Sequence, residues 1–177
     1  TSIVNENDAN KIKKELNKFK TIKIDNIKTS ERKLKPRAPF TTASLQQAAY
    51  STLSFSVKQT SAIAQRLYQG MPLGDKETVG LISYMRTDST NLSDECLKDI
   101  SSYLSKNHKE FESKETRKYS KKVKNAQEAH EAIRPTSIFN TPMKVKKYLD
   151  DADFKLYELI WKRTVASQMI DATYKQV

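Results

Sequence analysis

Apolar positions recur along this chain at two spacings, and the helical one dominates. In residues 7–19, Ile12, Leu16 and Phe19 fall on one stripe, with Asn7 or Asp8 available as cap, so the pattern predicts a short amphipathic helix. Residues 21–27 show partial alternation through Ile22 and Ile24, which predicts a strand with one wet face. The stretch Ser30 to Arg37 reads as a basic connector, and Pro36 and Pro39 stop regular structure around a boundary near residue 38. Thr42 is placed to cap a helix with Leu45, Ala48, Ala49 and Leu53 on its apolar side. After a break at Ser54-Phe55, Ser56 and Gln59 have the capping-box form, and Ile63, Ala64 and Leu67 carry a second helix to Gly70. Two helices joined by a three-residue turn have the form of a helix-turn-helix, or of two core helices with no groove contact.

Met71 to Val79 reads as a loop, and Leu81-Ile82 as the end of a buried strand. Ser93 caps a further helix, with Asp94 and Glu95 at its positive end and Leu97, Ile100 and Leu104 on its buried side. Asp150-Asp151-Ala152-Asp153 opens a helix carrying Phe154, Tyr157, Ile160, Trp161 and Val165; acids there complement the helix dipole, so a magnesium site is not expected. Asp171 to Val177 turns extended and is placed to pair with residues 21–27. The fold class expected is mainly α with a few strands.

Charge narrows the partners. Thirty-two Lys and Arg against twenty-one Asp and Glu give a net +11 over 177 residues, which favours nucleic acid over a membrane surface. No apolar run approaches a membrane span and no signal peptide is visible. One cysteine, Cys96, excludes an internal disulfide, fits a reducing compartment, and reads as packing. Arg117 to Lys124 is strongly basic, either a solvated loop or a DNA backbone contact through Lys121, Lys122 and Lys124.

The chemistry concentrates in Gly80-Leu81-Ile82-Ser83-Tyr84-Met85-Arg86-Thr87-Asp88-Ser89-Thr90. In an extended chain Tyr84 and Arg86 share a face. A tyrosine phenol, with a pKa of about 10, needs help to act as a nucleophile, and an adjacent guanidinium favours the phenolate and grips phosphate bidentately. Alternatively, Tyr84 packs, Arg86 is solvated and the hydroxyl cluster is a turn. Further on, His130 is able to donate to a phosphate oxygen or to serve structurally, and Arg134 is a phosphate clamp or a cap before Pro135.

Three of these stretches resemble one family. Tyr84-Met85-Arg86-Thr87-Asp88-Ser89-Thr90 is similar to the active-site signature of type IA DNA topoisomerases. Pro39 to Gln47 with Ile63 to Tyr68 is similar to the segment preceding that signature, and Ala126 to Thr136 to the histidine pattern that follows it. The resemblance implies a helix-turn-helix-like active-site domain over residues 39–167, flanked by parts of an arch-like domain at 1–38 and 168–177. It implies Tyr84 as the nucleophile that takes the 5′ phosphate of single-stranded DNA, permitting strand passage and relaxation of negative supercoils. Arg86 would position the phosphate, Thr87 and Asp88 would shape the loop, and His130 would contact the scissile phosphate. Glu131 would be its neighbour and Arg134 a backbone contact. Ser83 stands where the family commonly has Thr, with the hydroxyl kept.

The family's magnesium-binding domain has no counterpart in these residues, so Mg2+ is expected outside the chain, and the chain alone is expected to be inactive. The expected partners are single-stranded DNA and the remaining domains of a longer protein, in a monomer of the cytoplasm and nucleoid. A tyrosine recombinase would need its Arg-His-Arg set ahead of a C-terminal tyrosine, whereas His130 and Arg134 follow Tyr84. The alternative from another class is a non-catalytic helix-turn-helix DNA-binding module.

Overall fold

The computed structural model describes residues 3–19, 21, 23–74, 78–119 and 130–177. The chain divides into two compact units, residues 1–32 with 173–177 and residues 33–172.

In the first unit, α1 spans Glu6–Leu16. Its cap is Asn5, whose side chain accepts from the Asp8 N–H, so the helix begins earlier than Asn7 or Asp8 would start it. Asp8 instead lies in the first turn, where its charge meets the positive end of the dipole. The amphipathic stripe is real but uncovered: Ile12, Leu16 and Phe19 are all exposed. The strand expected at residues 21–27 does not form among its described residues. The extended segment is β1, Ser30–Leu34, where a connector was expected, and it pairs with β4, Ala172–Gln176. Every residue of both strands is exposed, so no buried face selected this register over the neighbouring one, and alternation in the sequence could not reveal it.

The second unit is built on helices: α2 (Thr42–Leu53), α3 (Val57–Gln69), α4 (Asp94–Asn107), the short α5 (Pro142–Val145) and α6 (Asp151–Ala166). Thr41, not Thr42, caps α2 in a reciprocal capping box with Ser44, which frees Thr42 for another task. Ser54 ends that helix in the left-handed conformation, and Ser56 caps α3 through the Gln59 N–H. α3 and α2 pack against α6, burying Leu45 and Ala49, Ile63 and Leu67, and Leu156, Tyr157 and Ile160. Phe154 is only half-buried; Leu156 takes the core position beside Tyr157.

Polar groups entering this core are matched. Trp161 Nε1 donates to the Ile138 carbonyl at 2.9 Å and the Tyr157 hydroxyl to Asn140 at 2.6 Å. Asp153, almost fully buried, pairs with Arg66 of α3, while Asp150 caps α6 and Asp151 pairs with Lys155. These acids are therefore occupied by helix and ion-pair duties. Between α3 and the catalytic candidate stretch lies a two-stranded hairpin, β2 (Met71–Pro72) with β3 (Thr78–Val79), where an irregular loop was expected. Among the described residues no helix is long and apolar enough to cross a membrane.

Candidate active site

Leu81 and Ile82 are fully buried, as their apolar run predicts, but they do not make a full strand. Ile82 forms a single antiparallel bridge with Pro135. Proline has no N–H to extend a ladder, so the pairing stops there. Its flanks are still firmly held: the Ser83 N–H donates to the Arg134 carbonyl at 2.8 Å and the Thr136 N–H to Leu81 at 3.0 Å. The Ser83 hydroxyl donates to the Ala132 carbonyl at 2.7 Å and accepts from the Arg134 N–H at 3.0 Å. The Tyr84 segment and the His130 segment are thus stitched together by backbone.

Beyond Ser83 exposure alternates although the chain bends at Met85 and Arg86. Tyr84, Arg86 and Asp88 are exposed, and Met85 and Thr87 are buried between them. Thr42 anchors the buried side. Its hydroxyl donates to the Met85 carbonyl at 2.7 Å, with the Thr87 carbonyl at 3.0 Å, and accepts from the Thr87 N–H at 2.9 Å. Its own N–H donates to the Thr87 carbonyl at 2.8 Å. Thr87 then accepts from the Ser89 N–H, so the hydroxyls in this loop shape its turn.

On the exposed side the Tyr84 and His130 rings lie 5.7 Å apart between centroids, and Tyr68 meets Tyr84 edge-on at 5.5 Å. Arg86, Asp88 and His130 line one open cleft with Thr41, Thr42 and Ala43 at the start of α2. The cleft combines a guanidinium, an imidazole and the positive end of a helix dipole, all suited to a phosphate oxygen, with the Asp88 carboxylate, which opposes one and leaves Arg86 as the attractive charge. Among the described residues, neither the Tyr84 hydroxyl nor the Arg86 guanidinium has a protein hydrogen-bond partner.

Glu131 and Arg134 point elsewhere. Arg134 Nε donates to Glu131 at 2.8 Å and Nη1 to the Pro135 carbonyl at 2.9 Å. Glu131 also accepts from the Ser93 N–H at 2.7 Å, at the start of α4. Burial works to raise the Glu131 pKa, but the Ser93 bond and the Arg134 cation outweigh it and hold the carboxyl below its ordinary value. Glu131 and Arg134 support the segment beside His130, and Arg134 does not line the cleft.

The basic run is only partly described: Lys121, Lys122 and Lys124 lie outside the described residues. Arg117 and Tyr119, at its start, are internal ties. Arg117 pairs with Asp171 at 2.7 Å, and the Tyr119 hydroxyl donates to the Ser167 carbonyl at 2.8 Å. Among the described residues no three His, Cys, Asp or Glu side chains gather to hold a metal.

Two contributors escaped sequence reasoning. Thr42 has the look of a cap, and only the tertiary contact shows what its hydroxyl does. Tyr68 sits exposed near the end of α3, with no local signal that it would meet Tyr84.

A helical domain that sets an exposed tyrosine beside an open cleft lined by an arginine and a histidine has the groups of a phosphate-handling protein. The particular family follows from comparison: the profile of the DNA topoisomerase family matches residues 1–177, and the chain belongs to that family. It is 50% identical over 169 residues to DNA topoisomerase 1 of Rickettsia felis, covering 95% of this chain and 22% of that protein. It is 46% identical over 176 residues to DNA topoisomerase 1 of Helicobacter pylori, covering 98% of this chain and 23% of that protein. Full-length topoisomerase I from Thermotoga maritima superposes with a TM-score of 0.77 at 39% identity, over 93% of this chain and 26% of that one. The chain thus spans under a quarter of the length of these two sequence relatives.

Proposed function

We propose that this chain carries the nucleophile of a type IA DNA topoisomerase. The phenolic oxygen of Tyr84 attacks a backbone phosphorus of single-stranded DNA. The P–O3′ bond breaks, the leaving O3′ takes up a proton, and the 5′ phosphate becomes esterified to tyrosine. Attack by the 3′ hydroxyl reverses the step and restores the strand after another has passed. The reading rests on His130, from a separate segment, lying beside Tyr84 and sharing a cleft with Arg86. Arg86 binds the phosphate and offsets the charge that develops on its oxygens, and His130 donates to one of those oxygens. The Tyr84 proton leaves to solvent or to a base on the rest of the protein.

Magnesium, in this reading, belongs to parts of the longer protein outside these residues and would assist in holding DNA in register for rejoining. The chain alone is inactive but binds single-stranded DNA weakly, with affinity falling steeply as salt rises. The longer protein acts as a monomer on DNA in the cytoplasm.

The test is covalent trapping. The chain is mixed with a separately made magnesium-binding portion of the same enzyme class and 3′-labelled single-stranded DNA, then denatured. A labelled adduct that Tyr84→Phe abolishes supports the nucleophile and the 5′ linkage together. The joined helices α2 and α3 favour one competing reading, a non-catalytic DNA-binding module. That reading gains if no adduct forms although assembly and DNA binding are both confirmed.

A further inference from the structure

The geometry points to a nucleobase-binding subsite in the groove between α2 and α3, next to the phosphate position at Arg86. This inference rests on the DNA reading above. The groove has a volume of about 310 Å³ and shares Thr42 and Arg86 with the His130 cleft. That volume lies at the small end of ligand sites, about 300–1,000 Å³, and suits one planar heterocycle rather than a larger ligand.

Its lining has the chemistry of a base site. Leu45, Ala64 and Met85 supply apolar surface, and a methionine thioether packs adaptably against a flat ring. Gln46 and Gln65 are both half-buried. An amide both donates and accepts, as base edges require. Gln46 Nε2 donates weakly to Ser61 at 3.2 Å, and the Gln65 amide has no partner among the described residues. Arg86 is the one charged residue of the lining, and no carboxylate stands there to repel the strand. An apolar slot with open amides beside a lone cation matches a nucleotide whose phosphate sits at Arg86 and whose base turns into the groove, as unstacked bases of single strands do. The subsite would give the cleavage position a preference for the base beside it.

The experiment is a titration of the isotope-labelled chain, followed by NMR at low salt, with a mixed-sequence single-stranded heptanucleotide and with an abasic strand of equal length. The heptanucleotide should shift the Gln46 and Gln65 amides and the Met85 methyl together with Arg86. The abasic strand is expected to shift Arg86 and His130 only. Base-bearing DNA should bind about tenfold tighter than abasic DNA, because the abasic strand has no ring to bury against Leu45, Ala64 and Met85. Gln65→Ala, which removes the groove amide at a half-buried position and suits a helix, should shrink that margin at least threefold without disturbing the Arg86 shift. If the heptanucleotide moves Arg86 and His130 but leaves the groove signals unmoved, the subsite is overturned and the DNA reading stands. If none of these signals moves with either strand, both are overturned.

Discussion

The hydroxyl of Thr42 and the carbonyl of Met85 are 2.7 Å apart, so the first turn of α2 holds the backbone immediately before Arg86. Because Thr42 also exchanges hydrogen bonds with the backbone of Thr87, the residue between, Arg86, is presented outward from a backbone fixed on both sides. Preorganised phosphate contacts need such a support, since a side chain on a loose loop spends its binding free energy on ordering.

Thr42→Val keeps the shape and removes the hydroxyl. It should lower stability by about 1–2 kcal/mol in urea unfolding, because the Thr87 N–H and the Met85 carbonyl lose their partner while the Thr87 carbonyl keeps the Thr42 N–H. In the trapping assay it should reduce adduct formation more than DNA binding, whereas Thr42→Ser retains both. Equal losses in binding and adduct would argue against a positioning role.

Gly80 leads into the Tyr84 stretch at a close backbone approach. A Cβ there would lie 2.7 Å from the Tyr68 carbonyl oxygen, and backbone cannot rotate away as a side chain can. Gly80→Ala should therefore destabilise by about 1–3 kcal/mol and displace Tyr68 from Tyr84, visible as altered aromatic shifts by NMR. Unchanged stability would show that the segment yields freely.

Glu131 makes stability depend on acid. Its folded pKa lies below the unfolded one, so its contribution is present above the ordinary carboxylate range and is lost as pH falls through the folded value. Glu131→Gln should lower the Tm at neutral pH, and the gap from the parent chain should close in acid below the ordinary carboxylate range. A gap that stays constant with pH would remove the charge from the explanation.

Cys96 is buried on α4, and burial pushes its thiol pKa up to about 11. A thiol reagent near neutral pH should label it slowly in the folded chain and rapidly in denaturant. Fast labelling of the folded chain would mean that α4 opens readily.

Asp153 is 2% exposed and depends on Arg66, which bridges α3 to α6. Arg66→Ala should cost about 1–3 kcal/mol in urea unfolding, at the lower end of losses for stranded carboxylates because the arginine is itself half-exposed. A neutral result would show that water replaces the guanidinium.

Local chemistry in the sequence was sufficient for much of the helical frame. Ser56, Ser93 and Asp150 cap the helices they precede, because a cap needs only its own side chain and the N–H groups a few residues on. The exposure of both Tyr84 and Arg86 agrees with the two-residue alternation read from the sequence, although the chain bends at Met85 and Arg86 instead of running extended. The family resemblance, carried by short motifs, identified His130 as their companion. Tertiary structure alone decided the rest. It made Arg117 and Tyr119 internal ties instead of solvent-facing groups, moved the strand from residues 21–27 to Ser30–Leu34, and brought Thr42 and Tyr68 to the site. In each of these cases the deciding partner lies far along the chain, or the strand is exposed on both faces. No periodicity or neighbouring residue then records which pairing wins, and the choice is made only when the folded backbone brings the groups within hydrogen-bonding reach.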